Sequence, residues 1–251
     1  MGEVRSYRSL FRQQDLVHFE VVVRETDLSI GVRREVFSEE LVRRTSALVR
    51  RLRSLMEAYV AAEPGFVAAL APYEPGPGAP AIAVDMARAA AAVGVGPMAA
   101  VAGAFAQYTG RFLARHSRDV VVENGGDIYL KTSVRRTVGI YAGTSPFSHR
   151  LALEVQPFQS PLGICTSSGT VGPSLSFGRA DAVVILAPSP LVADAAATAV
   201  GNRVQGPGDV EEAALFAGSL AGVAGAVVIA GDRMAAWGEV KLVPLDDQAG
   251  G

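Results

Sequence analysis

Three short stretches of the 251-residue chain carry side chains able to do chemistry, and each also has a plain structural reading. The first is GICTSSGTVGPSLSFGRAD, residues 163–181, which holds the only cysteine, Cys165. A thiol becomes a nucleophile where hydrogen-bond donors or positive charge favour its thiolate. Thr166, Ser167, Ser168, Gly169 and Thr170 follow it directly, and their hydroxyl and amide groups predict an anion-binding concavity that would also support a thiolate. The opposite reading stands beside this one: an isolated cysteine behaves as a small hydrophobe, and Cys165 can simply fill space next to Ile164 in a tight turn. With no second cysteine, an internal disulfide is excluded.

The second stretch is ENGGD, residues 123–127. Gly125 and Gly126 can take positive φ and expose backbone N–H groups, while Asn124 and Asp127 add side-chain acceptors. A hairpin turn has the same composition. The third is ADAAATAVGN, residues 193–202, where Asp194 and Thr198 stand four apart and share one side of a helix. Their oxygens suit a hard cation, Mg2+ or Ca2+, although a local hydrogen bond within the helix accounts for the pair equally well.

Other chemistries lack their residues. His18, His116 and His149 are scattered, so the usual zinc sites have no support. Lys131 and Lys241, the only lysines, lie in neither a glycine-rich loop nor an apolar helix, which argues against phosphate-loop and Schiff-base chemistry. A net charge of −2 provides no global basic field for nucleic acid or an anionic membrane. No segment offers the ~20 strongly apolar residues of a membrane span, and the first residues lack a signal-peptide core. The expectation is a cytoplasmic protein.

Positioning these stretches requires both strands and helices. LVHFEVVVRETDLSIGVRREV predicts two antiparallel strands around a break at Glu25–Asp27. From Ser38, a capping residue, Leu41, Val42, Leu48, Val49, Leu52, Leu55, Met56 and Tyr59 recur at helical spacing until Pro64, with arginines between them on a solvated face. PYEPGPGAP, residues 72–80, is a linker where two subdomains of a single domain would meet. Two alanine-rich helices broken at Gly94–Pro97 follow, then three short strands around ENGGD, and a further strand in LALEVQ. ADAVVILAP predicts a strand covered on both faces, and SPLVADAAATAVGNRVQ a helix with Ser189 as its cap. One more helix in GDVEEAALFAGSLAG and a terminal hairpin turning at Gly231 and Asp232 complete an α+β class.

The order of GGD, a hydroxyl-rich TSSGT loop and AD-x-x-x-T resembles the ApbE family, flavin transferases that move FMN from FAD onto a protein threonine. The resemblance is closest to a cytosolic branch of ApbE-like proteins, carried by VENGGDIYL, GICTSSGT, SLSFGRADA and ADAAATAVGN, and it covers about residues 98–204. It implies an ApbE-like fold, a mixed or antiparallel sheet flanked by alanine-rich helices, with the three motifs at one cleft and a divalent cation at Asp194 and Thr198. Two departures count against flavin transfer with FAD: Ala102 precedes Gly103 where the transferases have lysine, and GPSLSFGRAD has no counterpart of their H-x-x-D-P segment. The branch is associated with anaerobes that form homocysteine from aspartate semialdehyde and sulfide. That association implies Cys165 as a thiolate or persulfide carrier acting on a small anionic substrate. It leaves open an enzyme, a non-catalytic subunit among sulfur-transfer partners, and a homodimer.

Overall fold

A computed structural model describes residues 13–170 and 177–245. The first strands, β1 (Leu16–Val23) and β2 (Thr26–Arg33), pair antiparallel across a turn at Arg24 and Glu25. They are followed by α1 (Glu39–Ala62), the short α2 (Pro64–Ala68), α3 (Ala81–Val93) and α4 (Val101–Leu113). Next come β3 (Val120–Asn124), β4 (Asp127–Lys131), β5 (Arg136–Gly139), β6 (Leu151–Val155), β7 (Leu162–Ser167) and β8 (Ala182–Ala187). The chain then adds α5 (Pro190–Gly201), α6 (Val210–Ser219), β9 (Gly225–Ala230), β10 (Arg233–Gly238) and β11 (Leu242–Pro244).

Eight strands form one sheet in the order β1-β2-β3-β4-β7-β8-β9-β10, and β11-β6-β5 form a second. Every pairing among the described residues is antiparallel. The large sheet is the middle of three layers. On one face Val183, Ile185, Ala226 and Val228 pack with the helices, and on the other Val184, Leu186, Val227 and Ile229 pack with Val138, Leu153 and Val155 of the small sheet. Burial on both faces explains why β8 and β9 are apolar throughout and do not alternate. The α+β reading of the sequence, with alanine-rich helices against an antiparallel sheet, agrees with this architecture.

Local rules account for most boundaries. Ser38 Oγ accepts the Leu41 N–H (3.2 Å) and caps α1, a contact worth about 1 kcal/mol. The helical stripe is buried at Leu41, Val49, Leu52, Met56 and Tyr59, while Leu55 is exposed. Gly94, at φ 79, ends α3, and the chain bends by 104° before α4. The irregular segment at 72–80 joins helices that share one core, since Val49 and Leu52 before it and Ile82 and Met86 after it belong to the same cluster. No single helix among the described residues is long and apolar enough to cross a membrane.

Two local expectations need correction. Ser189 does not cap α5 through its side chain: its hydroxyl lies 2.8 Å from the side-chain amide of Gln107 on α4. The stretch from Leu162 to Ser167 is a strand, not a turn, because Gly163, Ile164 and Cys165 pair with Ala187, Leu186 and Ile185 of β8. Residues 171–176 of the same stretch lie outside the described residues, as do residues 1–12.

Candidate functional site: a carboxylate pair between hairpin, strand and helix

Asn124 and Asp127 close the β3–β4 hairpin. Gly125 and Gly126 between them have φ of 66° and 103°, the positive pair that a two-residue turn of this hand demands. The Gly126 N–H donates to Glu123 Oε1 (2.9 Å), and Asn124 Nδ2 donates to the Ala102 carbonyl (3.1 Å), which ties the turn to the start of α4. Because β4 pairs with β7 through Ile128 and Ile164, whose side chains enter the small-sheet core, the next residues along each strand face the helices. Asp127 and Cys165 are therefore neighbours beneath α5.

α5 delivers the second carboxylate. Asp194 Oδ2 accepts the Gly103 N–H (2.8 Å) at the N-terminal turn of α4, where amides are unpaired and the helix dipole favours a negative charge. This contact needs close helices. A Cβ on Gly103 would sit 2.4 Å from the Pro190 carbonyl oxygen, and one on Gly163 would sit 2.5 Å from Pro190 N. Glycine at both positions lets α5 lie directly on α4 and β7.

The electrostatics of this pocket are those of negative charges brought together. Burial pushes the Asp127 carboxyl well up and the Asp194 and Glu123 charges add to the rise, which outweighs the pull of the Cys165 thiol and the Thr166 N–H in the other direction. Burial raises Asp194 to about 7 even though amides of Gly103 and Ala102 pull it down. Asp127 is 6% exposed, and its Oδ1 is buried without a hydrogen-bond partner. A buried carboxylate oxygen left alone is costly unless a proton or a cation meets it.

Cys165 lies in the same place with its sulfur sealed. The residue is fully buried, and Sγ donates to the Pro190 carbonyl (3.3 Å). Burial raises its pKa well above the ordinary value, and the charges of Asp127 and Asp194 raise it further. The environment expected from TSSGT, donors that favour a thiolate, is thus not what surrounds the sulfur. Those donors serve their own loop: the Gly169 N–H donates to the Ala180 carbonyl (2.9 Å), and the Thr170 N–H to Ser168 Oγ (3.1 Å). An open nest of amides is not formed by these two residues.

Thr166 and Ser167, half-buried, end β7 beside the hairpin and α5; Gly126 approaches the Thr166 carbonyl, and Gly201 approaches Ser167 Oγ. Thr198, also half-buried, lies one turn beyond Asp194 on α5. The fold therefore gathers Asn124 to Asp127, Cys165 to Ser167, and Asp194 with Thr198 at one end of the β4–β7–α5 junction. Ser168, Gly169 and Thr170 lead away from it toward Ala180. Sequence reasoning gave no role to Glu123 or Gly103, although both sit inside or beside quoted motifs. Among the described residues, no three His, Cys, Asp or Glu side chains are grouped so as to hold a metal ion by themselves. A cation here would need hydroxyl or carbonyl oxygens, or oxygens of its own ligand, beside the carboxylates.

The three-layer antiparallel architecture is that of ApbE-like structures. It is similar to the ApbE protein of Thermotoga maritima, with a TM-score of 0.55 at 11% identity over 89% of this chain and 97% of that one. It is also similar to the flavinyl transferase ApbE of Pseudomonas stutzeri in its apo form, with a TM-score of 0.51 at 14% identity over 88% and 94%. A family model described as "AbpE bacteria" matches residues 8–216, and the chain belongs to that family. Its relatives include a UPF0280 protein of Methanosphaerula palustris, 50% identical over 75% of this chain and 78% of the relative. Another, from Methanothrix thermoacetophila, is 42% identical over 82% and 87%.

Proposed function

We propose that the chain holds a divalent cation with Asp127, Asp194 and Thr198 and, through it, a phosphate-bearing ligand of the flavin-nucleotide class. The observation that carries this reading is the buried, partnerless Asp127 Oδ1 beside a second carboxylate whose charge opposes it. Two carboxylates and a hydroxyl form a hard oxygen donor set suited to Mg2+ or Ca2+. When bound, the cation would neutralise the pair and leave coordination positions for phosphate oxygens. Gly103 orients Asp194 through its N–H, and the positive-φ turn at Gly125 and Gly126 keeps side-chain bulk away from the entrance. The fold shared with flavin transferases supports the ligand class. Ala102 in place of lysine supports binding without group transfer.

Isothermal titration of FAD in the presence of Mg2+ tests this. Wild type should bind, Asp194→Asn and Thr198→Val should lose the Mg2+ dependence, and a wild type that binds neither Mg2+ nor FAD refutes the proposal.

A second reading makes Cys165 a persulfide carrier in sulfide incorporation into homocysteine. It starts from the position of Sγ, at the same junction as the candidate ligand-binding motifs. Full burial and a raised pKa weigh against it, because a persulfide needs a reachable, ionisable sulfur. An intact-mass spectrum of anaerobically purified protein decides: a reducible sulfur adduct at Cys165 supports the carrier, and an unmodified mass after incubation with sulfide and an oxidant removes it.

A further inference from the structure

We propose that Asp181 is a positioning residue that holds Ser168–Thr170, the residues that continue β7 beyond Thr166 and Ser167, in place by tying them to the β9–β10 turn. The inference rests on the cation-and-phosphate reading above. Asp181 directly precedes β8, outside the junction of Asp127, Cys165 and Asp194, and is only 9% exposed. Both of its carboxylate oxygens are engaged. Oδ1 accepts from Thr170 Oγ1 (3.0 Å) and Oδ2 from the Gly231 N–H (2.7 Å).

The network continues on either side. The Gly231 carbonyl accepts from Ser145 Oγ (2.7 Å), and the Asp181 N–H donates to the Ile229 carbonyl (2.9 Å), so the turn that receives the aspartate is itself anchored. On the loop side, Ser168 Oγ lies 3.3 Å from Thr170 Oγ1. A Cβ on Gly169 would lie 2.0 Å from the Gly178 carbonyl oxygen, and one on Gly178 would lie 1.8 Å from the Gly201 carbonyl oxygen at the end of α5. Gly169 is therefore packed on Gly178, and Gly178 on the end of α5, so that residues 168–170 and 177–181 form a clamp. Asp181 is the acidic member of that clamp, and hydrogen bonds to a charged group are stronger than neutral ones. Its oxygens are taken up by Thr170 and Gly231, so its influence on a ligand passes through Thr170 and Ser168 back to Ser167 and Thr166.

The experiment is a double-mutant cycle read by quenching of flavin fluorescence on titrating FAD in Mg2+, with melting temperatures taken alongside. Asp181→Ala and Thr170→Val should each weaken binding about tenfold, from the loss of one charge-assisted hydrogen bond. The double variant should bind no worse than Asp181→Ala alone, because both remove the same contact. Thr170→Ser keeps the hydroxyl and should restore wild-type binding. A wild type that binds while both single variants bind equally well overturns the positioning role and leaves the proposed function standing. Additive losses, or no rescue by Thr170→Ser, overturn it as well. A wild type that fails to bind FAD overturns the proposed function and this inference with it. Should Asp181→Ala fail to fold, the exposed Thr170 still decides through its valine and serine variants.

Discussion

Replacing Asp194 by asparagine should stabilise the metal-free protein at alkaline pH while destroying its cation dependence. Asp194 ionises near pH 7 in the folded chain instead of near 3.8, chiefly because it is buried. The folded state therefore binds a proton more tightly than the unfolded one, so its stability is fullest below pH 4, falls as pH rises through the interval to about 7, and is flat above it. Once the carboxylate is fully charged, about 4 kcal/mol opposes folding, and half-burial with solvent screening reduces this to about 2 kcal/mol. An asparagine can still accept the Gly103 N–H but carries no charge to oppose Asp127. Thermal melts in chelator at pH 5 and pH 8 measure the effect. The variant should exceed wild type by less at the lower pH than at the upper one, where it should melt about 5 °C higher. Added Mg2+ should raise the melting temperature of wild type alone. A variant that melts lower than wild type at pH 8, or a wild type whose stability does not fall between pH 5 and pH 8, would refute the account of two opposed carboxylates.

The sulfur of Cys165 should resist iodoacetamide in native protein at pH 8 and react fully after unfolding; rapid native labelling counted by mass would contradict its burial. Gly103→Ala should separate α4 from α5, since the new methyl would meet the Pro190 carbonyl oxygen at 2.4 Å and Asp194 Cβ at 2.9 Å. A loss of about 2 kcal/mol in urea unfolding is expected. Away from the site, burial would raise Asp119, but the Ser133 N–H and hydroxyl, the Thr132 hydroxyl and the Arg136 charge more than offset it and hold the carboxyl below its ordinary value. Its contribution is present above the unfolded value near 4 and is lost as pH falls below that. Asp119→Asn, which removes one of the two carboxylates facing the buried Arg136 and leaves Asp15 in place, should cost about 2 kcal/mol at pH 7 and much less at pH 3 by equilibrium denaturation.

Elements whose signal is local were legible in the sequence. Ser38 with its apolar stripe marked α1, Gly125 and Gly126 marked the hairpin, and the unbroken run in β8 marked a strand buried on both sides. β7 was hidden because its composition is that of a loop. Gly163 is there to let Pro190 approach, Cys165 to face the carboxylates, and Thr166 and Ser167 to reach the open end of the junction. None of these residues carries the apolar alternation that announces a strand, since their neighbours across the sheet and on α5 set what each must be. The pairing of Leu162 to Ser167 between β4 and β8 supplies the hydrogen bonds that intrinsic preference does not. Ser189 failed as a cap for a related reason, its hydroxyl being drawn to Gln107 on another helix.

The candidate site was legible as a set of motifs but not in its sign of charge. Reading TSSGT alone places donors next to a thiol, and donors favour a thiolate. Folding sets Asp127 and Asp194 beside that thiol instead, from segments nearly forty residues before it and thirty after it, and carboxylates favour the protonated sulfur. The chemistry of a short motif is thus decided by which distant residue the topology lays against it. Here antiparallel pairing of β4 with β7, together with glycines that admit α5, brings in negative charge, and the group left seeking a partner is an oxygen of Asp127 rather than the sulfur. What meets that oxygen must be positive or must carry a proton. The proposed cation would meet both Asp127 and Asp194 at once and draw on Thr198 one turn along α5, which is why the carboxylate pair, and not the lone cysteine, is the place to begin dissecting this protein.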